Sequence, residues 1–127
     1  MTLWRAENTD PILEAIAEHE PDGKAQYMAV TDVWVYEKGF SPAFDAAMRD
    51  WARVDTAIEK HVREVDDIRI EALRAVFKNL GFRGIDQQIR ARIMYYHQVG
   101  YYALGVKETL KERNRLKSYY RRALIGR

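Results

Sequence analysis

The sequence predicts an all-α domain of about six helices packed as a bundle, and three observations support this prediction. Apolar residues recur at spacings of three and four along most of the chain, which is the period of an amphipathic helix. No segment alternates apolar and polar residues as a half-buried strand does. The three prolines and seven glycines stand mostly where such helices would begin or end. A chain of 127 residues suits one domain, so we expect residues 1–127 to form a single helical unit.

The first predicted helix begins around Thr9 and ends before Glu20-Pro21. Thr9 offers a capping side chain, and Pro11 suits the first turn of a helix because its missing N–H would have no partner there. Leu3 and Trp4 could extend this helix toward the N-terminus, with a kink at Pro11.

The sequence pattern predicts two further helices in roughly the next thirty residues. One covers about residues 24–37 and ends near Gly39, since glycine is typical of the position after a helix. Ser41-Pro42 repeats the pattern of a cap followed by proline and begins the other. The apolar stripe of that helix consists of Phe44, Met48 and Trp51.

The C-terminal half is predicted to contain two long helices and a shorter basic one. Asp55 caps a helix that runs to Leu80, whose apolar positions repeat in a rhythm close to a heptad. Residues 85–104 form a helix that is apolar nearly all round, which indicates burial on more than one side. It is therefore either a central helix or one shared with a second subunit. The last helix covers about residues 108–125.

Charge is unevenly distributed along the chain. Residues 107–127 carry eight basic and two acidic side chains, a net charge of +6, whereas the whole chain carries +2. A basic C-terminal stretch of this kind can contact nucleic acid, but it can equally be a solvated helix face. Both interpretations stay open at this point.

The residue types that carry catalysis are sparse, and we expect no enzyme, metal or cofactor. The chain has no cysteine, which excludes thiol nucleophiles and thiolate zinc sites. None of His19, His61 and His97 follows a glutamate by three residues, so the Glu-x-x-His pair of di-iron bundles is absent. His61 and Glu64 share a helix face, where a surface ion pair is the simpler interpretation. A helical-bundle enzyme that uses His61, Glu64 or His97 is the remaining alternative.

An aromatic cluster surrounds His97, in the run Tyr95-Tyr96-His97-Gln98-Val99-Gly100-Tyr101-Tyr102. Such side chains could line a ligand pocket or a subunit interface, or they could be core residues with satisfied polar tips. Gly100 costs a helix about 1 kcal/mol relative to alanine, which favours a position where another helix approaches closely.

Four segments carry a resemblance to a known family. Phe44-Asp45-Ala46-Ala47-Met48-Arg49-Asp50-Trp51-Ala52-Arg53 is followed by Val62-Arg63-Glu64-Val65-Asp66-Asp67-Ile68-Arg69, by Leu73 through Phe82, and by Ala91 through Tyr101. In this order and spacing they resemble the C-terminal regulatory domain of TetR/AcrR-family transcriptional regulators. The resemblance covers about half of the chain closely.

The resemblance implies a homodimer in which the helices ending at Leu80 and Leu104 form an intermolecular four-helix bundle. The interface residues predicted on this basis are Val62, Val65, Ile68, Ala72, Val76, Ile89, Ile93, Tyr96, His97 and Gly100. It also implies a cavity for a small-molecule effector, for which we predict the lining residues Ile16, Met28, Trp34, Phe44, Met48 and Trp51. The alternative for this second set is that its members are core residues.

Regulators of this family also carry an N-terminal helix-turn-helix head. The residues before Leu3 are too few to supply one, and residues 24–51 lack the polar character of a recognition helix. We therefore expect an effector-binding and homodimerisation domain that contacts DNA only through a head absent from this chain. The alternative is a stand-alone helical adaptor that binds nucleic acid or an acidic partner through residues 107–127. No apolar run approaches the roughly 18 residues of a membrane span, and no signal peptide is recognisable, so we expect a cytoplasmic protein.

Overall fold

Residues 2–126, which the computed structural model describes, form seven α-helices and no strand, which confirms the predicted all-α class. The helices are α1 (Thr2–Asn8), α2 (Asp10–Glu18), α3 (Gly23–Val35), α4 (Pro42–Ala52), α5 (Thr56–Asn79), α6 (Ile85–Ala103) and α7 (Leu110–Ile125). Across this part of the chain, no helix combines the length and the apolar character that crossing a membrane requires.

Side-chain caps define four of the helix starts. Asp22, Ser41, Asp55 and Thr109 each accept a hydrogen bond from a backbone N–H in the first turn of the helix that follows. The starts predicted at Ser41-Pro42 and Asp55 are therefore confirmed. The ends of α5 and α6 fall one residue before the predicted Leu80 and Leu104.

The break between α1 and α2 differs from the prediction. The first seven described residues form a separate helix, and the chain turns at Thr9 rather than bending at Pro11. Thr9 makes no side-chain cap for α2. Its hydroxyl oxygen instead accepts a hydrogen bond from Nε of Arg69 at 3.0 Å, so a contact distant in sequence replaces the local one.

The central helix of the domain is α5. One apolar cluster joins its C-terminal half to α2, α3 and α6, and a second joins its N-terminal half to α1 and α4. The pattern of residues 85–104 had left open whether that segment is central. In the structure α6 buries only one side, through Ala91, Met94, Tyr95 and Gln98, and its opposite side is exposed.

Gly23 allows α3 to begin in contact with the end of α5. A Cβ atom at position 23 would lie 2.6 Å from the backbone nitrogen of Leu80 and 2.7 Å from the carbonyl carbon of Asn79. Backbone atoms cannot rotate away as a flexible side chain can, so the two helices would have to separate.

We expect Gly23→Ala to lower the free energy of unfolding by about 1–3 kcal/mol, because overpacking forces the backbone to shift. Lys24→Ala, at the exposed neighbouring position, should change it by less than about 0.5 kcal/mol. Urea denaturation of both variants measures the difference. Equal stability of the two would show that α3 does not pack against α5 in this way.

Candidate ligand-binding site

A cavity of about 270 Å³ opens between α4 and α6, with α5 at its base. Its apolar wall is built by Trp34 from α3, Phe40 and Pro42 around the start of α4, and Val99 and Tyr102 from α6. The rings of Phe40 and Tyr102 lie 6.4 Å apart between centroids. The volume is near the lower end of the range for small-molecule sites, so the cavity suits a small ligand.

The base of the cavity is a buried ion pair between Arg69 and Asp45. Arg69 is 1% exposed, and its Nη1 lies 2.8 Å from Oδ2 of Asp45. Oδ1 of the same carboxylate accepts hydrogen bonds from Trp4 Nε1 and Asn8 Nδ2, both at 2.8 Å, and from Arg69 Nη2 at 3.1 Å. The guanidinium also lies beside the rings of Trp4 and Phe40, 5.3 and 5.9 Å from their centroids. The pair therefore joins α1, α4 and α5.

The environment keeps this pair charged. Burial alone would raise the pKa of Asp45, but the hydrogen bonds and the charge of Arg69, together with the hydrogen bonds from Asn8 and Trp4, hold it below its ordinary value. Burial would likewise lower the pKa of Arg69, but Asp45 and Tyr95 hold it above its ordinary value. Both groups are thus ionised at neutral pH.

Tyr95 links this pair to a second one. Its hydroxyl oxygen accepts hydrogen bonds from Arg69 Nη1 at 3.3 Å and from Arg49 Nη2 at 3.1 Å, and its O–H donates to Asp66. Arg49 in turn binds both carboxylate oxygens of Asp66, at 2.7 and 3.0 Å. Burial is the largest influence on Tyr95 and raises the pKa of its hydroxyl, so the phenol stays protonated and can donate.

Gln98 supplies the one fully buried polar side-chain atom of the cavity wall that lacks a partner among the described residues. Its side chain is 93% buried, given a relative exposure of 7%, and its Nε2 has no hydrogen-bond acceptor there. Nε2 of His61 is the other such atom, but His61 lies against Trp4, 5.7 Å between ring centroids, and lines no part of this cavity. A buried donor left unpaired costs about 1–3 kcal/mol.

The orientation of the Gln98 amide follows from its neighbour on α7. Arg113 Nη2 lies 3.5 Å from Oε1 of Gln98. A guanidinium can only donate hydrogen bonds, so the atom facing it must be the amide oxygen. The NH2 group therefore points away from Arg113. The same arginine donates to the Tyr102 hydroxyl at 2.8 Å and the Trp34 carbonyl at 3.4 Å, which holds α7 against the back of the wall.

Of the six residues predicted to line a cavity, only Trp34 lines the one between α4 and α6. Ile16 and Met48 are buried in the two apolar clusters, and Phe44 packs against the second of them. Met28 and Trp51 are exposed, at 45% and 50%. The prediction fails for one reason. Apolar residues at helical spacing were assigned to a cavity, but most of them pack in the core or lie exposed on the surface.

The predicted interface residues divide between the two long helices. Val62, Val65 and Val76 of α5 are buried in the chain's own core, so their assignment to a surface for a second subunit is corrected. Ile68 and Ala72 are half-buried, and Ala72 packs against the larger cluster. The α6 residues remain available at the surface. They are Ile89, Ile93, Tyr96 and His97, which are exposed, and Gly100, which is half-buried and would place a Cβ in open space.

The basic C-terminal segment is partly used inside the molecule. Besides Arg113, Lys117 contacts Asp32 of α3 at 3.0 Å and the Tyr36 hydroxyl at 3.2 Å. Arg115 pairs with Glu112 one turn away on the same helix. Some of its basic side chains, Lys117 among them, thus hold α7 against α3.

The three histidines belong to no cluster of potential metal ligands in the described part of the chain. Within residues 2–126 no three His, Cys, Asp or Glu side chains lie close enough to hold a metal ion. His97 stacks against Tyr120 of α7, 4.7 Å between centroids, and lines the groove between α6 and α7 rather than the cavity.

Comparison of the chain with protein-family models, with curated proteins and with solved structures finds no match.

Proposed function

We propose that this chain is a domain that captures a small molecule in the α4–α6 cavity and associates with a second copy of itself. The observation that carries the proposal is Gln98, which lines the cavity and whose buried NH2 group has no partner in the part of the chain described. The other polar side chains of the base hold one another in ion pairs and hydrogen bonds. Such an arrangement fixes the shape of a binding site and suits binding rather than reaction.

We assign the domain to effector sensing in a TetR-like regulator, on the sequence resemblance alone. In such a regulator, DNA binding would come from a helix-turn-helix head outside these residues. A ligand could change DNA affinity only by binding one arrangement of the dimer more tightly than another.

Self-association is supported by the exposed face of α6. Ile85, Ile89, Ile93 and Tyr96 follow one another at spacings of three and four and are 42–70% exposed, so they form an apolar stripe. Gly100 continues the stripe with open space above it. A continuous apolar stripe along one helix is complementary to the same stripe on another copy, and two-fold dimers are the commonest assembly of identical chains. We therefore assign the stripe to a second copy of this chain.

The ligand site can be tested by filling the cavity from α4. Ala46 lines it and is exposed, so Ala46→Phe should occupy the opening at little cost to folding. Ala47 is also exposed on the same helix but does not line the cavity. The probes are three naphthalene derivatives: 2-naphthoate, 2-naphthamide and 2-naphthylmethylammonium.

We expect at least one of these probes to bind the wild-type chain in isothermal titration calorimetry. Ala46→Phe should weaken that binding by about tenfold or more, because the added ring competes for the same space, and Ala47→Phe should leave it unchanged. Absence of binding by all three probes, or equal binding by both variants, would refute the proposed site.

A further inference from the structure

We propose that the ligand of this cavity is a small acid, with a flat apolar body held by the aromatic wall and a carboxylate oxygen that accepts a hydrogen bond from Nε2 of Gln98. The inference rests on the proposed ligand site and specifies the chemistry of its occupant. Three features support it: a donor without a partner, a guanidinium without an ion pair behind that donor, and an apolar surface.

The free donor requires an acceptor on the ligand. The contact with Arg113 sets the Gln98 oxygen on one side, so the NH2 group is the part of the amide left without a partner. A carbonyl or carboxylate oxygen meets this requirement, whereas an ammonium group does not because it can only donate.

The balance of charge favours an anion over a neutral acceptor. Arg49, Arg53 and Arg69 line the cavity, and each lies within 4 Å of a carboxylate, those of Asp66, Asp50 and Asp45. Arg113 is a fourth guanidinium, and the acceptors it contacts at the back of the wall are all neutral: the Tyr102 hydroxyl, the Trp34 carbonyl and the Gln98 amide.

Glu108 lines the same groove as Arg113 behind the wall, but it accepts a hydrogen bond from the Tyr101 hydroxyl at 2.9 Å and forms no ion pair with Arg113. The guanidinium of Arg113 lies directly behind the Gln98 amide, with Nη2 3.5 Å from its oxygen. It polarises the NH2 group toward the cavity, and a hydrogen bond between such a donor and a carboxylate is stronger than one between neutral groups.

The apolar wall restricts the chemistry of the rest of the ligand. Trp34, Phe40 and Tyr102 present aromatic surface, and Val99 presents an aliphatic one. A planar ring system can stack against such surface with its polar end directed to Gln98. The exposed pair of Arg53 and Asp50 lies at the edge of the site, where a charged group would enter.

The experiment compares the dissociation constants of 2-naphthoate, 2-naphthamide and 2-naphthylmethylammonium by isothermal titration calorimetry. These probes share one ring system and differ in the charge and donor character of the polar end. We expect 2-naphthoate to bind the wild-type chain about tenfold more tightly than the amide, and the ammonium compound to bind most weakly.

Two substitutions at position 98 identify the donor. Gln98→Met keeps the length of the side chain and removes the NH2 group, so it should weaken 2-naphthoate binding about tenfold or more. Gln98→Glu should weaken it further and strengthen binding of the ammonium compound. Gln88→Met, on the same helix but away from the cavity, should have no effect. Circular dichroism shows whether each variant keeps its helices.

The outcomes separate this inference from the proposed function. Equal affinity for the three probes, or 2-naphthoate binding that Gln98→Met leaves unchanged, would overturn the acid ligand while Ala46→Phe could still block the site. Binding by none of the probes would overturn the site itself and this inference with it.

Discussion

Arg69→Met should lower the free energy of unfolding by about 3–5 kcal/mol, because it leaves the Asp45 carboxylate buried without its counter-ion. Asp45 lies between α1, α4 and α5 and accepts four hydrogen bonds, of which two come from Arg69. Methionine would fill part of the space beside Trp4 and Phe40 but offers no donor. The expected loss is a large fraction of the stability of a domain of this size.

The same variant should show a characteristic dependence on pH. In the wild type the folded pKa of Asp45 is below its unfolded value, so its contribution to stability is complete above about pH 4 and is lost as the pH falls through the folded pKa. Burial is already the largest influence on this pKa, and without Arg69 only the hydrogen bonds from Asn8 and Trp4 oppose it, so we expect the pKa of Asp45 to lie above its unfolded value. The loss in free energy of unfolding relative to the wild type is therefore largest at neutral pH and shrinks as the pH falls toward about 4.

Urea denaturation at neutral pH and near pH 4 measures both effects. Arg63→Met is the matched control, since Arg63 pairs with Glu59 on the exposed face of the same helix and such pairs contribute about 0.3–0.5 kcal/mol. The double variant Arg69→Met with Asp45→Leu should recover part of the loss because it removes both charges. A deficit for Arg69→Met no larger than that for Arg63→Met would contradict the buried ion pair.

Ile93→Glu should abolish self-association. Ile93 is 53% exposed at the middle of the α6 stripe, so the glutamate is hydrated in the single chain and costs little there. In the dimer its charge would be buried against the apolar stripe of the other copy. We expect the dissociation constant of the dimer to rise by at least about a hundredfold, or about 3 kcal/mol.

Analytical ultracentrifugation at micromolar concentrations tests this expectation. Val54→Glu, in the loop between α4 and α5, introduces the same charge at a position that is 86% exposed and distant in sequence from the stripe. The wild type and Val54→Glu should sediment as dimers and Ile93→Glu as a folded monomer. A wild-type chain that is monomeric under these conditions would refute the proposed dimer.

Much of the fold could be predicted because local signals and tertiary structure agree. Ser41-Pro42 and Asp55 begin helices through the caps that their side chains form. The seam of α5 is buried along its length as its spacing indicates. Thr9 shows the limit of such reasoning: its local capping signal competes with a hydrogen bond to Arg69, which is sixty residues away.

The site was harder to predict because its base consists of charged residues. Arg69 lies in a run dense in charges, where pairing at three- and four-residue spacing is the ordinary interpretation. A signal was nevertheless present. Position 69 follows Val65 by four residues and precedes Leu73 by four, so it occupies the apolar seam of α5, and an arginine there requires a buried partner.

No sequence pattern indicates the partner itself. Asp45 comes from another helix, and α4 meets α5 through packing that spacing along one helix does not encode. Gln98 stands in the run around His97 that could line a pocket or an interface, but its unpartnered NH2 group becomes apparent only once the position of Arg113 is known.

The most direct test of the ligand site is the NMR signal of the Gln98 side-chain NH2 group. It can be assigned as the pair of amide resonances missing from the spectrum of Gln98→Met. Titration with 2-naphthoate should move this pair downfield, as expected for a donor that gains a carboxylate acceptor, together with the backbone signals of Val99 and Ala46. An unchanged Gln98 signal, with shifts confined to the α6–α7 groove around Ile93 and Tyr120, would contradict the account.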